Sequence, residues 1–311
     1  MNKSVKIFVA GHLGMVGSSC VRLLLNRGYT NLVLRSSKEL DLRDKKSVEI
    51  FFKNEKIDIV IDAAAKVGGI LANSRFPYDF LIDNLMIQNN LISLSHKYNV
   101  NKFIFLGSSC IYPKLAPQPL KEHYLLDGLL EPTNEAYAIA KIAGVKLCQS
   151  IRNQFKKNFV SLMPTNLYGP NDNFDLENAH VLPTMIRKFY EAKKNNHSTV
   201  FLWGTGSPMR DFLHVDDLAT AILFFVENNS QKYDMYNVGS SKEISIKDLA
   251  LLIKNISGFT GDIKWDLTKP DGTPRKLIDC SRLNKLGWSP KYDFKLGIKD
   301  TLNWYVKNHH K

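Results

Sequence analysis

The chain has 311 residues, of which 44% are hydrophobic and 23% charged. This composition is typical of a globular protein with one or two domains and excludes a disordered chain. The formal net charge is +12, but the lysines are scattered rather than massed in one block, so we expect no nucleic-acid partner. A solvated surface is the simpler interpretation of this charge, and attraction of polyanionic small molecules is the alternative.

The four cysteines lie far apart and form no C-x-x-C motif. This spacing predicts neither a zinc ribbon nor a disulfide framework, and it is typical of a reducing compartment. The apolar stretch near the N-terminus is too short for a signal peptide, and no apolar run has the length of a membrane span. We therefore expect a cytoplasmic protein that binds no metal and does not associate with a membrane.

Strand-like and helix-like patterns alternate through the first half of the chain. Short apolar runs predict strands at 6–10, 32–34, 57–61, 102–106 and 159–163, and helical spacing of apolar residues predicts helices at 15–27, 45–54, 83–98 and 135–155. This alternation predicts an α/β fold of the Rossmann type, a doubly wound parallel sheet covered on both faces. Ligands of such sheets bind at the carboxyl ends of the strands.

The pattern changes after Pro164. Residues 165–175 are rich in Asn, Gly and Pro and are predicted as a loop, and 269–276 as a second, polar loop. Helices are predicted at 216–226, with Asp216 or Asp217 as N-cap, at 246–256, and at the C-terminus, ending at Trp304 and Tyr305. We predict a first domain at 1–165, to which 212–240 returns, and a smaller α/β lobe at 166–211 and 241–311.

Three glycines, Gly11, Gly14 and Gly17, follow the first strand and open a helix. A tight turn and close approach to a diphosphate require residues without Cβ, and the helix N-terminus offers unpaired N–H donors. The spacing therefore predicts a nicotinamide dinucleotide site. The alternative is a simple strand-to-helix turn.

The second predicted strand ends in Arg35, Ser36 and Ser37 rather than in an acidic residue. A cation at this position favours the 2′-phosphate of NADP over the free ribose of NAD. The alternative for Arg35 is a solvated strand end. Asp41 and Leu42 follow at a position suited to the adenine, although Asp41 is equally a local turn former.

Tyr137 and Lys141 lie four residues apart on a predicted helix, which places them on one face. Asn134 precedes them as a plausible N-cap. A neighbouring ammonium favours a phenolate, so we expect Lys141 to lower the pKa of Tyr137, which would protonate an alkoxide. The alternative is an ordinary amphipathic helix that happens to carry both residues.

Ser108 and Cys110 follow the strand at 102–106. A hydroxyl at the carboxyl end of a strand can donate to a substrate oxygen beside Tyr137, and a thiol in a polar cleft near a cation can act as an acid or base. The simpler interpretations are a turn serine and a small buried hydrophobic residue.

Longer segments carry a resemblance that covers nearly the whole chain. They are GHLGMVGS at 11–18, AAAKVGGI at 63–70, LGSSCIYP at 106–113, EPTNEAYAIAK at 131–141, MPTNLYGP at 163–170, PMRDFLHVDD at 208–217 and KPDGTPRK at 269–276. In these segments the chain resembles the extended short-chain dehydrogenase/reductases, and specifically the GDP-L-fucose synthase family.

The resemblance implies reduction of the C4 ketone of a GDP-4-keto-6-deoxy sugar with NADPH, after epimerisation at C3 and C5. It assigns Ser108, Tyr137 and Lys141 to reduction and Cys110 and His180 to epimerisation. Because C3 and C5 flank the ketone, their protons are acidified by enolate formation. A thiol and an imidazole are suitable titrating groups near neutral pH, and Ser108 and Tyr137 would hold the enolate oxygen.

The resemblance also implies the binding residues. For the NADP cofactor they are Gly11, His12, Gly14, Met15, Val16, Gly17, Arg35, Ser36, Ser37, Asp41, Leu42, Leu106, Gly107, Ser109, Lys141, Pro164, Asn166, Leu167 and His180. For the nucleotide-sugar they are Lys188, Trp203, Arg210, Asp271 and Lys276. Two cations suit a diphosphate, and Arg210 can bind it bidentately. By analogy with the family, helices 83–98 and 135–155 would form a homodimer interface.

Two departures from the family pattern stand at Leu13 and Ser37, where the family often has Arg. NADP preference then depends on Arg35 and on hydroxyl groups. One alternative keeps the fold but only reduces C4, with a GDP-4-keto heptose or 6-deoxyheptose as substrate and no epimerisation. Another is a non-catalytic Rossmann protein that binds NADP as a sensor, which the intact Ser108, Tyr137 and Lys141 set disfavours.

Overall fold

The computed structural model describes residues 2–228, 232–269 and 271–309. The strands are β1 Ile7–Ala10, β2 Leu32–Val33, β3 Ile59–Asp62, β4 Lys102–Leu106, β5 Asn158–Pro164, β6 Asn166–Tyr168, β7 Thr199–Trp203, β8 Met209–His214, β9 Met235–Val238, β10 Glu243–Ser245, β11 Asp262–Asp266 and β12 Arg275–Lys276. The helices are α1 Met15–Asn26, α2 Lys45–Glu55, α3 Ile70–Arg75, α4 Pro77–Lys97, α5 Glu135–Phe155, α6 Val181–Lys194, α7 Val215–Glu227, α8 Ile246–Ser257, α9 Ser281–Asn284 and α10 Phe294–Asn308.

The central sheet has the strand order β2-β1-β3-β4-β5-β9, and each described pair in it is parallel. One face carries a core shared with α2, α4 and α5, and the other a core shared with α1 and α7. The strands are buried because helices cover both faces, which explains their continuous apolar sequences. The predicted α/β fold with a doubly wound parallel sheet is confirmed.

A second group of elements follows β5. Strands β6, β8, β10 and β12 form one small sheet, and β7 pairs with β11 in another. Helices α6, α8 and α10 pack around a third core that includes Leu182, Phe189, Leu249 and Ile253. The predicted loop at 165–175 contains β6, and the predicted loop at 269–276 contains β12, so both predictions were partly wrong. Strands of two or three residues are too short to show a period of two.

Helix boundaries differ from prediction in specific places. Helix α4 begins at Pro77, six residues before the predicted start at Asp83, and α3 and α6 were not predicted. The predicted cap of α7 was wrong, because the His214 ring accepts from the Asp216 N–H at 3.2 Å. The domain boundaries stay a prediction. In the described ranges, none of the helices has the length and hydropathy of a membrane span.

Candidate active site

The glycine turn between β1 and α1 leaves space only for backbone. Gly11 has φ +75°, and a Cβ there would lie 2.7 Å from the Ala63 carbonyl oxygen. A Cβ on Gly17 would overlap the Gly11 carbonyl, while the Gly14 N–H donates to that carbonyl at 3.0 Å. In the described part of the chain, Nδ1 of His12 is buried without a hydrogen-bond partner. This turn fits the diphosphate of a nicotinamide dinucleotide, with the first N–H groups of α1 as donors.

The candidate 2′-phosphate site is occupied by internal ion pairs and hydrogen bonds. Arg35 pairs with Glu55 at 2.7 Å. Ser36 donates through both its N–H and its hydroxyl to Glu39, each at 2.7 Å. Ser37 is exposed, and its side chain has no hydrogen-bond partner within the described ranges. A phosphate bound here would compete with two carboxylates for the same donors.

Asp41 takes the alternative that the sequence left open. Its carboxylate accepts from the Arg43 N–H at 3.0 Å, which closes a turn before α2, and it pairs with the Arg43 guanidinium at 2.8 Å. Arg43 also reaches Asp83 at 3.2 Å. Leu42 packs against the α4 and α5 core. Arg43 is a cation at this edge that the sequence analysis did not single out.

Ser108 lies two residues after the end of β4. Its hydroxyl accepts from the Cys110 N–H at 3.2 Å and caps a short 3₁₀ helix at Ser109–Ile111. The Tyr137 ring packs edge-on against Phe80 at 6.5 Å. Burial raises the pKa of the Tyr137 phenol well above its usual value, the Cys110 charge adds to this rise, and a hydrogen bond with Ser108 opposes it. The phenol is therefore an acid at neutral pH.

Lys141 is buried on α5 and points toward the end of β4. Its Nζ donates to the Leu106 carbonyl at 2.8 Å and lies 5.9 Å from the Tyr137 ring centre. Burial lowers the pKa of Lys141 to about 8. The expectation that Lys141 lowers the pKa of Tyr137 was wrong for this structure, because the ammonium is bound to a backbone carbonyl and burial dominates the phenol. The residues stand one helical turn apart, as their spacing predicts.

Cys110 lies between two donors. The Lys276 ammonium lies 3.4 Å from Sγ. The Asn134 side-chain amide donates to the same sulfur at 3.3 Å. Burial raises the pKa of the Cys110 thiol, but Lys276, a hydrogen bond from Ser108 and the charge of Arg210 outweigh burial, so the pKa lies below its usual value. Cys110 is thus a thiol that ionises more readily than usual beside a cation. Lys276, a candidate nucleotide-sugar residue, contacts this sulfur.

His180 immediately precedes α6 and belongs to a segment packed on the loop before α3. The Gly69 N–H donates to the Asn178 carbonyl at 2.7 Å, and a Cβ on Gly69 would lie 2.5 Å from the Ala179 carbonyl oxygen. Desolvation lowers the pKa of His180, and the charge of Lys276 lowers it further. Lys276 therefore acts electrostatically on both Cys110 and His180.

The remaining candidate nucleotide-sugar residues lie on the C-terminal elements. Arg210 on β8 donates to the Met209 carbonyl, and burial lowers its pKa. Lys188 on α6 donates to the Phe201 carbonyl at 2.9 Å, and Trp203 on β7 is 45% exposed. The two carboxylate oxygens of Asp271 accept from the N–H and the hydroxyl of Thr205 at 2.7 and 2.8 Å. Its role in the structure is to hold the loop after β7.

The other candidate cofactor residues line the carboxyl ends of β4 and β5. A Cβ on Gly107 would overlap the Met163 side chain, which explains the glycine beside Leu106. Asn166 donates to the Asp211 carbonyl at 2.8 Å. Met15 and Val16 lie at the start of α1, Ser109 is buried, Pro164 ends β5, and Leu167 on β6 packs against the core shared with α1 and α7.

Two residues at the site were missed by sequence reasoning. Asn134 was predicted as a helix cap, but its side chain does not cap α5; it donates to Cys110, and its Oδ1 is buried with no partner in the described part of the chain. Glu131 accepts from Thr133 and Thr273 and pairs with Lys114 at 3.0 Å. Glu131 therefore ties the start of α5 to the loop that carries Lys276. The segment EPTN contained both residues, but nothing in its pattern indicated these long-range contacts.

Comparison with known proteins identifies the family. The model of the NAD dependent epimerase/dehydratase family matches residues 7–239. A putative GDP-L-fucose synthase 2 from Arabidopsis thaliana is 57% identical over 308 residues, covering 99% of this chain and 94% of the relative. The GDP-L-fucose synthase of Escherichia coli strain K12 is 50% identical, with 97% of each chain covered. The chain belongs to this epimerase/dehydratase family, within its GDP-L-fucose synthase group.

A solved structure agrees with this assignment. A GDP-mannoheptose C4 reductase from Campylobacter jejuni with NADP bound has a TM-score of 0.90 and 39% identity, and the match covers 98% of this chain and 99% of that chain. Membership in the epimerase/dehydratase family confirms the resemblance read from segments such as GHLGMVGS and EPTNEAYAIAK.

Proposed function

We propose that this member of the epimerase/dehydratase family is an NADPH-dependent 3,5-epimerase/4-reductase of a GDP-4-keto-6-deoxy sugar. One observation carries the proposal. Two titratable groups that both contact Ser108 have pKa values displaced in opposite directions, the Cys110 thiol downward and the Tyr137 phenol upward. A base and an acid set apart in this way match two proton transfers, one at a carbon and one at an oxygen. The identity to GDP-L-fucose synthases over nearly the whole chain supports the substrate class.

Epimerisation requires removal of a proton next to the ketone and its return to the opposite face. Cys110 as thiolate takes the proton from C3 or C5, and the electron pair moves onto the ketone oxygen to give an enolate. Ser108 and Tyr137 donate hydrogen bonds to that oxygen, as an oxyanion hole does. His180 returns a proton to the other face of the carbon, and its lowered pKa favours release of that proton.

Reduction uses the same oxygen. NADPH, held at the turn of Gly11, Gly14 and Gly17, would supply the hydride for C4. Tyr137 gives its proton to the oxygen as an alkoxide develops there, and its raised pKa keeps the proton in place until then. Lys141 is positioned to hold the ribose hydroxyls of the cofactor, because its ammonium lies at the end of β4 beside Tyr137.

The nucleotide-sugar would be held by the elements of the C-terminal part. Arg210 suits the diphosphate, because a guanidinium binds phosphate oxygens bidentately and Arg210 is near Cys110 in the same cleft. Lys188 supplies a second cation, and the exposed face of Trp203 suits the base. Lys276 is assigned to Cys110 rather than to the diphosphate, because its Nζ contacts Sγ.

The test supplies GDP-4-keto-6-deoxymannose with NADPH and follows the loss of nicotinamide absorbance. NMR of the product then shows whether C3 and C5 are inverted. We expect NADPH consumption and inverted configuration at both carbons. Absence of oxidation by folded protein that binds NADPH would contradict the proposal.

A second candidate function is favoured by the similarity to the heptose C4 reductase, which has the same fold at a TM-score of 0.90. In this alternative the protein reduces C4 of a GDP-4-keto heptose or 6-deoxyheptose and does not epimerise. Incubation of the keto-sugar in heavy water without cofactor separates the two functions. Deuterium at C3 and C5 supports the epimerase/reductase, and its absence alongside C4 reduction supports the alternative.

The assembly and location are part of the proposal. We propose a homodimer through α4 and α5, which pack against each other and expose Met86 and Ile139. We also propose a cytoplasmic location, which four unpaired cysteines suit. Analytical ultracentrifugation tests the dimer, and a charged residue at Met86 is expected to give monomer. A monomeric wild-type protein at micromolar concentration would contradict it.

A further inference from the structure

Asp62 is a buried carboxylate outside the residues that the proposed function uses. It ends β3, and only 1% of its surface is exposed. One oxygen accepts from the Ala64 N–H at 3.3 Å. Across the described ranges, the other oxygen, Oδ2, has no hydrogen-bond partner. An ionised carboxylate in such a place is unfavourable unless a positive charge lies nearby.

The sheet register shows which positive charge is available. Asp62 is opposite Ala10 of β1 and Phe105 of β4. Neighbouring residues of a parallel sheet point to the same face, and Ala10 and Phe105 belong to the core covered by α4 and α5. The Lys141 side chain extends from α5 to this part of β4. Its Nζ lies 4.8 Å from the Phe105 ring centre and binds the carbonyl of the next residue, Leu106.

The electrostatic effects between these groups are mutual. Burial raises the pKa of Asp62 to about 6, and Lys141 opposes that rise. Burial lowers the pKa of Lys141 to about 8, and Asp62 opposes that fall. The other titratable group near Asp62 is Cys148 on α5, whose pKa burial raises, so it stays neutral. The residues opposite Asp62 on β1 and β4 are Ala10 and Phe105, and neither titrates.

We propose that Asp62 is the internal counterion of Lys141, a positioning residue that keeps the ammonium charged beneath the Tyr137 phenol. This inference rests on the proposed function, in which Lys141 holds the cofactor ribose as a charged ammonium. Without a negative charge at 62, Lys141 loses its proton at a lower pH. The alkaline limit of ketone reduction is then set by a residue that contacts neither substrate nor cofactor.

The first test is the pH dependence of kcat for reduction in Asp62→Asn and Asp62→Leu. We expect the alkaline limb of the profile to move to lower pH by about one unit in both variants, a tenfold loss where the limbs are parallel. Asp211→Asn is the matched control. Asp211 is also buried, its pKa is also raised to about 6, and its Oδ2 also lacks a partner in the described part of the chain. An unmoved limb in both folded Asp62 variants overturns the proposal.

The second test needs no turnover and separates this inference from the proposed function. Because the pKa of folded Asp62 exceeds 3.8, its stabilising contribution is full below about pH 4 and is lost as the pH rises through about 6. Lys141→Met removes the opposing ammonium, so we expect this fall in unfolding free energy to move to higher pH. The double variant with Asp62→Asn should lack the fall. If Lys141→Met leaves the pH range of this fall unchanged, the inference is overturned even if the enzyme is active. If the range moves to higher pH, the inference is supported even if the proposed substrate is wrong.

Discussion

The two proton-transfer groups of the cleft differ in the charge beside them. At the Tyr137 end, Lys141 binds the Leu106 carbonyl, and burial keeps the phenol protonated. At the Cys110 end, Lys276 contacts the sulfur itself at 3.4 Å and favours the thiolate. Both residues contact Ser108 and both have a lysine nearby. The atom that each ammonium touches therefore decides which group is the acid and which is the base.

This comparison teaches that a lysine close in sequence is less informative than one that reaches the reacting atom. Lys141 is four residues from Tyr137 but acts on the backbone, whereas Lys276 is 166 residues from Cys110 and contacts it. Glu131 supports the second arrangement by binding Thr273 in the loop that leads to Lys276. Substitutions at Tyr137, Cys110 and Lys276 test the acid and the base of the cleft separately.

The largest effect is expected from Tyr137→Phe, which removes the acid. Reduction should fall by about 1,000-fold, because general acid catalysis contributes on that scale. Deuterium exchange at C3 and C5 should fall much less, since Ser108 still binds the enolate. NADPH absorbance and NMR measure the two rates. Tyr98→Phe, which removes a hydroxyl bound to Glu49 at the far end of α4, is the control. Undiminished reduction in folded Tyr137→Phe would exclude the phenol as the acid.

Cys110→Ser removes the proposed base of epimerisation. We expect deuterium exchange to fall by about 100-fold, because a hydroxyl ionises far less readily than a thiol beside a cation. Reduction of a keto-sugar that is already epimerised should be nearly unchanged. The control is Cys148→Ala, which removes a buried thiol whose pKa is raised. Exchange at the wild-type rate in Cys110→Ser would assign the base to another group.

Lys276→Met sharpens the comparison by leaving both reacting groups in place. Since Lys276 lowers the pKa of Cys110, its loss raises that pKa, and the thiolate is formed only at higher pH. We expect the acid limb of the exchange-rate profile to move up by about one unit, a tenfold loss at fixed pH on that limb.

The neighbouring Arg275→Met is the matched control for Lys276→Met. Arg275 pairs with Glu243 at 2.7 Å on the exposed side of the same strand. An equal displacement of the exchange profile in both variants would attribute the effect to general surface charge and contradict a specific role for Lys276.

The fold was predictable because its signals are local and repeated. Helix α5 was predicted with its observed bounds, since 21 residues of helical periodicity leave little ambiguity. Strand β4 was likewise predicted as Lys102–Leu106. In contrast, β6 and β12 have three and two residues and depend on pairing with β8, a long-range contact that no local pattern encodes.

The sequence predicted which residues form the candidate site better than it predicted the contacts that these residues make. The motif at 106–113 identified Ser108 and Cys110, and the Tyr-x-x-x-Lys spacing identified the pair on α5. The contacts that set the pKa values were not predictable, because Asn134 was predicted as a helix cap and Lys276 as a nucleotide-sugar residue. Asp62 was unnoticed for the same reason: an aspartate at a strand end is ordinary until its burial is known.

The smallest expected effect concerns the cofactor edge, away from both proton-transfer groups. Glu39 occupies the Ser36 N–H and hydroxyl, and its negative charge would repel a 2′-phosphate held by Arg35. Glu39→Gln should therefore tighten NADPH about threefold, with NADH unchanged, because only NADPH carries the extra phosphate. Fluorescence titration measures both affinities, and Glu49→Gln, a half-buried α2 residue paired with Lys97, is the control. Equal tightening of NADH would show that Glu39 acts on the dinucleotide as a whole. Weaker binding of NADPH alone would show that Glu39 orders the Ser36 donors, and would place the phosphate on another group, such as Arg43.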